Sequence, residues 1–350
     1  MGRKVDLRSD TVTLPTEAMR ERMCNAEVGD DCLDRDPTVE KLEALAASLM
    51  GMEAGLLLPS GTMGNLVAVM VTAPMPHRVL VHEEAHLILA EHRGAALART
   101  TYHPLPGDGG MIDLKLLERE LAAPRPSDQS ILVCLESSHN NTGGTVLPLE
   151  YLSQVYNKCR SYGAYLHLDG ARIFNAAATL GVPASDIAKY FHSVTFCLSK
   201  GLSAPIGSLL TGSAAMIGRA RDARRILGAG MRQAGIIAAA GIEALETMPA
   251  RLHLDHQRAA RLATAINEQL PGFVAVPPQT NIVMLNVSAT SWAADTWEKA
   301  LRERGILTRT RGPGKIRCVL HRHIDDADVD EAVAAVTELL RRSMHSEISG

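Results

Sequence analysis

Aromatic residues are scarce in this sequence: Phe, Tyr and Trp together fill 3% of its 350 positions. Any large core must therefore be built from aliphatic side chains. The six cysteines (Cys24, Cys32, Cys134, Cys159, Cys197, Cys318) contain no C-x-x-C pair, and several sit in apolar, strand-like runs. They read as reduced, mostly buried thiols, which implies a reducing compartment. Excess charge of one sign is also missing. The formal net charge is −3, with Lys and Arg scattered along the chain, so no basic footprint for nucleic acid or an anionic membrane is present. Long apolar runs are lacking too. "LVAVMV" and "AGIIAAAGI" fall well short of the roughly 18 residues a membrane span needs, and the opening "MGRKVDLRSD" has no apolar signal region. The expectation is a soluble, cytoplasmic protein without nucleic-acid or membrane partners.

What remains is an ordinary globular composition, 46% hydrophobic and 21% charged. The length exceeds the roughly 250 to 300 residues at which single cores split, so two domains are expected. Apolar runs that suit buried strands recur at "AGLLLP", "HRVLVH", "SILVCLE", "AYLHLD", "SVTFCLS" and "IGSLLTG". Between them lie segments of helical periodicity, such as Leu114 to Leu121 and Leu147 to Tyr156. This alternation predicts an α/β domain on a mostly parallel sheet, with its chemistry at the carboxyl ends of the strands. After about residue 245 the pattern changes to a long helix from Arg251 to Glu268, then "GFVAV", "NIVMLNV", a helix through Trp292 to Arg302, "GILTRT", "KIRCVLH" and a closing helix from Asp325. The expected organisation is an extended N-terminal arm over 1–15, marked by Pro15, a large domain over 16–245 and a smaller α/β domain over 246–350.

Several strand ends carry polar residues. In "LLLPSGTMGN", Ser60, Gly61 and Thr62 precede a helix; backbone N–H groups there suit a phosphate, and an ordinary helix cap by Ser60 or Thr62 is the competing explanation. "YLHLDGARIFNAA" ends a strand on Asp169, followed by Gly170 and Arg172. Asp-Gly is a common turn pair, yet a carboxylate and a guanidinium three residues apart could also serve two parts of one small anionic ligand. Lys200 follows "SVTFCLS", where it is either a solvated charge or an amine poised to react with a carbonyl. "HEEAHLILAEH" offers His82, His86 and His92, and "LESSHNNTGG" offers His139. A metal site is the rival use of His82 and His86, whose order H-E-E-A-H has the spacing of a zinc pair on one helix face, but nothing in the segment establishes a helix there, so no metal is assigned. A phosphate cradle, an acid and a lysine in this chain order match the parts of a pyridoxal phosphate site.

The strings "DLRSDTVTLPTEAMRERM", "PSGTMGN", "LDGARIFNAA", "SVTFCLSKGLSAPIGS" and "GAGMRQAG" closely resemble the L-threonine aldolase family, from about Val5 to His321. The resemblance implies fold type I, the aspartate aminotransferase-like class of pyridoxal phosphate enzymes, and a homotetramer with active sites at a dimer interface. It implies cleavage of L-threonine or L-allo-threonine to glycine and acetaldehyde through an external aldimine and a quinonoid intermediate. Carried over by position, it makes Lys200 the aldimine lysine, Asp169 the partner of the ring nitrogen, and Gly61 and Thr62 the phosphate contacts. His86 would stack on the ring, and His139 would lie near the substrate side chain; either could serve as base. Ser9, Arg172 and Arg317 would bind the substrate carboxylate, Arg172 counting also among the cofactor contacts. Arg232 would touch the cofactor or the neighbouring subunit. A β-eliminating lyase, a racemase, an aminotransferase or a non-catalytic cofactor-binding homologue would use the same lysine and aspartate.

Three departures from the family pattern stand out. Ser203 occupies a position where glycine is expected, Ser137 and Ser138 stand where Asn and Thr are usual, and "HLILAEHRGAA" replaces an aromatic run and a Gly-Gly pair. The last follows directly from His86 and bears on substrate side-chain preference.

Overall fold

A computed structural model describes residues 4–75, 77–269 and 274–345. Leu14–Thr142 and Val146–Pro249 form one compact unit, while Met1–Thr13, Gly143–Thr145 and Ala250–Gly350 form another. The larger unit is organised by β1 (Ala54–Leu58), β2 (His77–His82), β3 (Thr101–Leu105), β4 (Ser130–Glu136), β5 (Tyr165–Asp169), β6 (Ser193–Cys197) and β7 (Ser208–Gly212). They make a seven-stranded sheet in the order β1-β7-β6-β5-β4-β2-β3. Strands β2 to β6 run parallel to one another, and β7 runs antiparallel to both β1 and β6. The mostly parallel α/β sheet anticipated from the apolar runs is therefore present. Its inner strands are buried almost throughout because helices cover both faces of such a sheet, and the few polar residues they carry, such as His167 and Ser193, are buried with them.

Strand β3 was not visible as a strand in the sequence. "TYHPL" is half exposed and carries Pro104, which is tolerated here because the strand lies at the sheet edge.

Local sequence also fixes the flanking helices. Helix α1 (Pro37–Met50) starts on Asp36, whose side chain accepts from the N–H groups of Thr38 and Val39, with Pro37 in the first turn. Helix α2 (Gly61–Val71) starts on Ser60, which accepts from Met63 N. Val67, Ala68 and Val71 of α2 pack with Leu56 and Leu58 of β1. Helix α2 also lies tightly on β6: a Cβ at Gly64 would stand 2.5 Å from Thr195 Cγ2. The single turn α3 (His86–Leu89) follows β2, helix α4 (Leu149–Ser161) precedes β5, and helix α5 (Ile173–Leu180) follows it.

The smaller unit has a three-stranded antiparallel sheet of Ile282–Asn286, Lys315–Val319 and Arg309–Thr310. It is flanked by helices Leu252–Glu268, Ala294–Glu303 and Asp326–His345. The first residues, expected as an arm, form a strand Val5–Asp6 that pairs in parallel with Ile306–Leu307, and Val5 and Leu7 are buried in this unit's core beside Trp297 and Leu301. The expected strand "GFVAV" falls partly outside the described residues; within them, Ala275 bridges Leu285. Among the described residues no helix is long and apolar enough to cross a membrane, and none of the six cysteines forms a disulfide, four of them being buried.

Candidate active site

The chemistry-bearing residues of the larger unit gather at the carboxyl edge of its parallel strands, where such sheets place ligands. Asp169 ends β5, and Glu136, its register partner, ends β4. His86 opens α3 just beyond β2, and Gly61 opens α2 just beyond β1. Lys200 stands in the connection from β6 to β7. That connection is closed by Leu198 N donating to Gly207 O at 3.0 Å, and Ser203 N donates to Lys200 O at 2.8 Å.

Four buried or half-buried side chains link into one line. His86 Nδ1 lies 2.8 Å from Glu91 Oε1. Asn65 Nδ2 donates to Glu91 Oε2 at 3.3 Å and to Asp169 Oδ2 at 2.8 Å. The other Asp169 oxygen accepts from Ala171 N at 3.1 Å, so the Asp-Gly turn does form and the carboxylate still faces inward. Asp169 is only 4% exposed. The hydrogen bond to Glu91 holds the His86 imidazolium above its ordinary titration range, against the opposing effect of burial.

Glu136 lies beside the second histidine. One of its oxygens accepts from His86 N at 2.7 Å and the other from Asn140 N at 2.8 Å. His139 Nε2 lies 3.8 Å from Glu136 Oε2. His139 is fully buried, and among the described residues neither of its ring nitrogens has a hydrogen-bond partner. Its ring meets that of His82 edge-on at 5.1 Å. Arg172 is buried at the start of α5, and its Nη1 donates to Asn140 Oδ1 at 3.4 Å.

At the opposite flank, a Cβ on Gly61 would stand 2.7 Å from Cys197 Sγ, so glycine is what lets the start of α2 approach β6. Ser60 does cap the helix, as the competing explanation required. The first N–H groups of a helix nevertheless have no acceptor within it, so those of Gly61 and Thr62 stay available to an anion.

Three more of the expected residues have local partners of their own. Arg232 is exposed and pairs with Asp30 at 3.2 Å. Ser9 and Arg317 belong to the smaller unit, where Ser9 caps the turn Asp10–Val12 and Arg317 Nη2 donates to Arg8 O at 3.0 Å. The single helix that would set His82 and His86 on one face for a metal does not form. His82 is the last residue of a strand and accepts from Glu84 N through Nδ1, while His86 begins a separate helical turn and is held by Glu91. Sequence reasoning passed over Asn65, Glu91 and Glu136. The third could have been found, because "SILVCLE" ends on a charge as "YLHLD" does; the first two lie on helical and loop segments with no local signal.

The sheet order and the strand-end constellation define a fold type I enzyme of the aspartate aminotransferase-like class. The beta-eliminating lyase family matches residues 6–290. A low-specificity L-threonine aldolase 1 of Arabidopsis thaliana is 42% identical over 93% of this chain and 94% of its own length. A low specificity L-threonine aldolase of Escherichia coli K12 is 39% identical over 97% of this chain and 100% of its own. A solved Leishmania major threonine aldolase superposes with a TM-score of 0.80 at 16% identity, covering 96% of this chain and 99% of that one. The chain belongs to the beta-eliminating lyase family and, within it, to the L-threonine aldolases.

Proposed function

We propose that the chain is a pyridoxal phosphate-dependent enzyme that cleaves L-threonine or L-allo-threonine into glycine and acetaldehyde. The observation that carries this reading is the buried line from His86 through Glu91 and Asn65 to Asp169, on the sheet edge from which Lys200 follows. A flat anionic cofactor with an aldehyde and a pyridine nitrogen finds a complement for each part among these residues. Asp169 is the buried carboxylate for the ring nitrogen and His86 the imidazole for the ring face. Lys200 Nζ would hold the aldehyde carbon, and the N–H groups of Gly61 and Thr62 the phosphate. The buried ring nitrogens of His139 fit a site that a polar ligand completes.

When bound, pyridoxal phosphate supplies an electron sink conjugated to the substrate Cα. Arg172 offers a planar, permanently charged group for the substrate carboxylate, which orients the Cα–Cβ bond to be broken. Ser9 and Arg317 keep the carboxylate-binding role that the family resemblance implies. His139 takes the proton of the β-hydroxyl. Its nitrogens are uncommitted among the described residues and Glu136 lies 3.8 Å away to stabilise the resulting imidazolium, whereas His86 Nδ1 is already held by Glu91. The proton that His139 took would be available for return to the substrate Cα, so aldehyde and glycine would leave in equal amounts.

Aldehyde release from L-threonine, L-allo-threonine and phenylserine, with visible spectra recorded before and after substrate, tests this function. Lys200→Ala should lose both the visible absorbance and the aldehyde release; a purified variant that kept both would overturn the assignment. From L-threonine, 2-oxobutanoate in place of acetaldehyde would instead indicate β-elimination, and 2-oxo-3-hydroxybutanoate would indicate transamination.

A cytoplasmic homotetramer with sites at a dimer interface is part of the same proposal. Leu33 and Ile226 are 76% and 80% exposed, on segments joined by Arg225 Nη2 donating to Cys32 O. Cysteines without a disulfide suit a reducing compartment. Light scattering on the eluted protein should give four times the mass of one chain.

A further inference from the structure

We infer that Asn65 is the positioning residue of this site: a single amide, oriented by a buried donor chain that starts at Thr72, holds the carboxylates of Asp169 and Glu91 at the same time. This rests on the proposal that Asp169 faces the ring nitrogen and His86 the ring face of pyridoxal phosphate.

The direction of every bond in the chain follows from chemistry. Ionised carboxylates only accept, so the two that meet Asn65 must meet its amide nitrogen, at 2.8 Å for Asp169 Oδ2 and 3.3 Å for Glu91 Oε2. The amide oxygen Oδ1 then points the other way, to His167 Nε2 at 3.3 Å. An amide oxygen only accepts, so His167 carries its proton on Nε2. Nδ1 of that neutral ring is therefore an acceptor, and Ser193 Oγ at 2.8 Å must donate to it. Ser193, having given its proton, accepts from Thr72 Oγ1 at 2.7 Å. Burial pushes His167 down to about 4, which keeps the ring neutral near pH 7.

The chain thus runs one way, from Thr72 through Ser193 and His167 into Asn65, and ends on two carboxylates. Asn65, His167 and Ser193 are 2%, 0% and 0% exposed, so water does not compete for these bonds. Flipping the Asn65 amide would place its oxygen against two carboxylates and its nitrogen against the His167 N–H. The two carboxylates forbid that flip, and the upstream chain runs in the direction that supports the same orientation. Asn65 is then the shared hinge of two functions: it fixes the acid at the ring nitrogen and, through Glu91, the His86 ring.

Two measurements test the inference. In cofactor-free protein labelled with ¹⁵N-histidine, magic-angle-spinning NMR should show His167, assigned by its loss in His167→Gln, as the Nε2–H tautomer at pH 7. An Nδ1–H tautomer or an imidazolium would overturn the donor chain. The affinity of the cofactor-free protein for pyridoxal phosphate, followed by absorbance, should fall about ten-fold or more in Asn65→Leu, the scale expected for losing hydrogen bonds to charged groups. It should fall several-fold in Ser193→Ala, which breaks the chain two links away and serves if Asn65→Leu does not fold. The 1-deaza analogue, which lacks the ring nitrogen, should lose less affinity than pyridoxal phosphate in both variants. Unchanged affinity in a folded variant, or equal losses for the two cofactors, would overturn the positioning role. Failure of the wild-type chain to bind pyridoxal phosphate would instead overturn the proposed function, while the tautomer measurement would still report on the donor chain.

Discussion

Glu91 Oε1 lies 2.8 Å from His86 Nδ1, with the carboxylate buried and the imidazole partly open to solvent. The pair makes His86 a donor at Nδ1 and fixes the plane of its ring. A stacking imidazole needs both.

Replacing Glu91 by Gln should lower the pH at which His86 titrates, because the largest cause of its raised value is the bond to that carboxylate. The sign for stability follows. A histidine raised in the folded state stabilises below its unfolded value near 6.5, and the contribution disappears as pH rises through the folded value. The His86 side chain is 36% exposed, so solvent screening limits the pair to about 0.5 kcal/mol. Histidine NMR titration of the cofactor-free variant checks the direction; an unchanged His86 midpoint would contradict it.

His167 should make the protein acid-sensitive. Its folded value near 4 lies below the ordinary 6.5, so the unfolded chain takes up a proton first. Stability present above about 6.5 is lost between there and about 4, by roughly 3 kcal/mol if the full shift is realised. Urea unfolding of wild type and His167→Gln at pH 7 and pH 4.5 reads this: the wild type should lose clearly more stability between the two than the variant does.

Ser203 should yield a more stable protein when replaced by glycine. Its φ is +63°, its backbone is fully buried, and its hydroxyl lacks a partner among the described residues. A left-handed conformation at a residue with a Cβ costs about 1 kcal/mol, as does a buried unpaired hydroxyl, and the greater freedom of glycine in the unfolded chain offsets part of the gain. Ser203→Gly is expected to raise the unfolding free energy by about 1 kcal/mol, measured by urea denaturation; a loss of stability would show that the serine is held by something other than this geometry.

How much of this was legible in the residues alone depended on the range of the interactions. The strands β1, β2 and β4 to β7 were readable because each is a continuous apolar run. Lys200, Asp169, His86, His139 and Gly61 could be picked out because each follows such a run closely. Pro104 hid β3, since a proline argues against a strand unless the edge position is known. Asn65 and Glu91 were invisible for another reason. Asn65 is made important by Asp169 and His167, about a hundred positions away, and Glu91 by its place between His86 and Asn65, and no local pattern announces such meetings. Glycine at position 203 was expected from family pattern alone, and the positive φ now supplies the physical reason.

The hairpin from β6 to β7 has a consequence for anyone who would engineer this protein. Strand β7 pairs on both sides, with Ser208 opposite Leu58 on one neighbour and opposite Cys197 on the other. Adding a residue between Lys200 and Ser208 would turn the whole strand over, exchanging the side chains it shows to the two faces, unless the loop absorbed it. Strand-to-helix loops elsewhere on the same edge carry no such double constraint. Loop grafting and domain insertion should therefore succeed around the helices and fail beside the lysine, where the molecule has the least freedom to change its length.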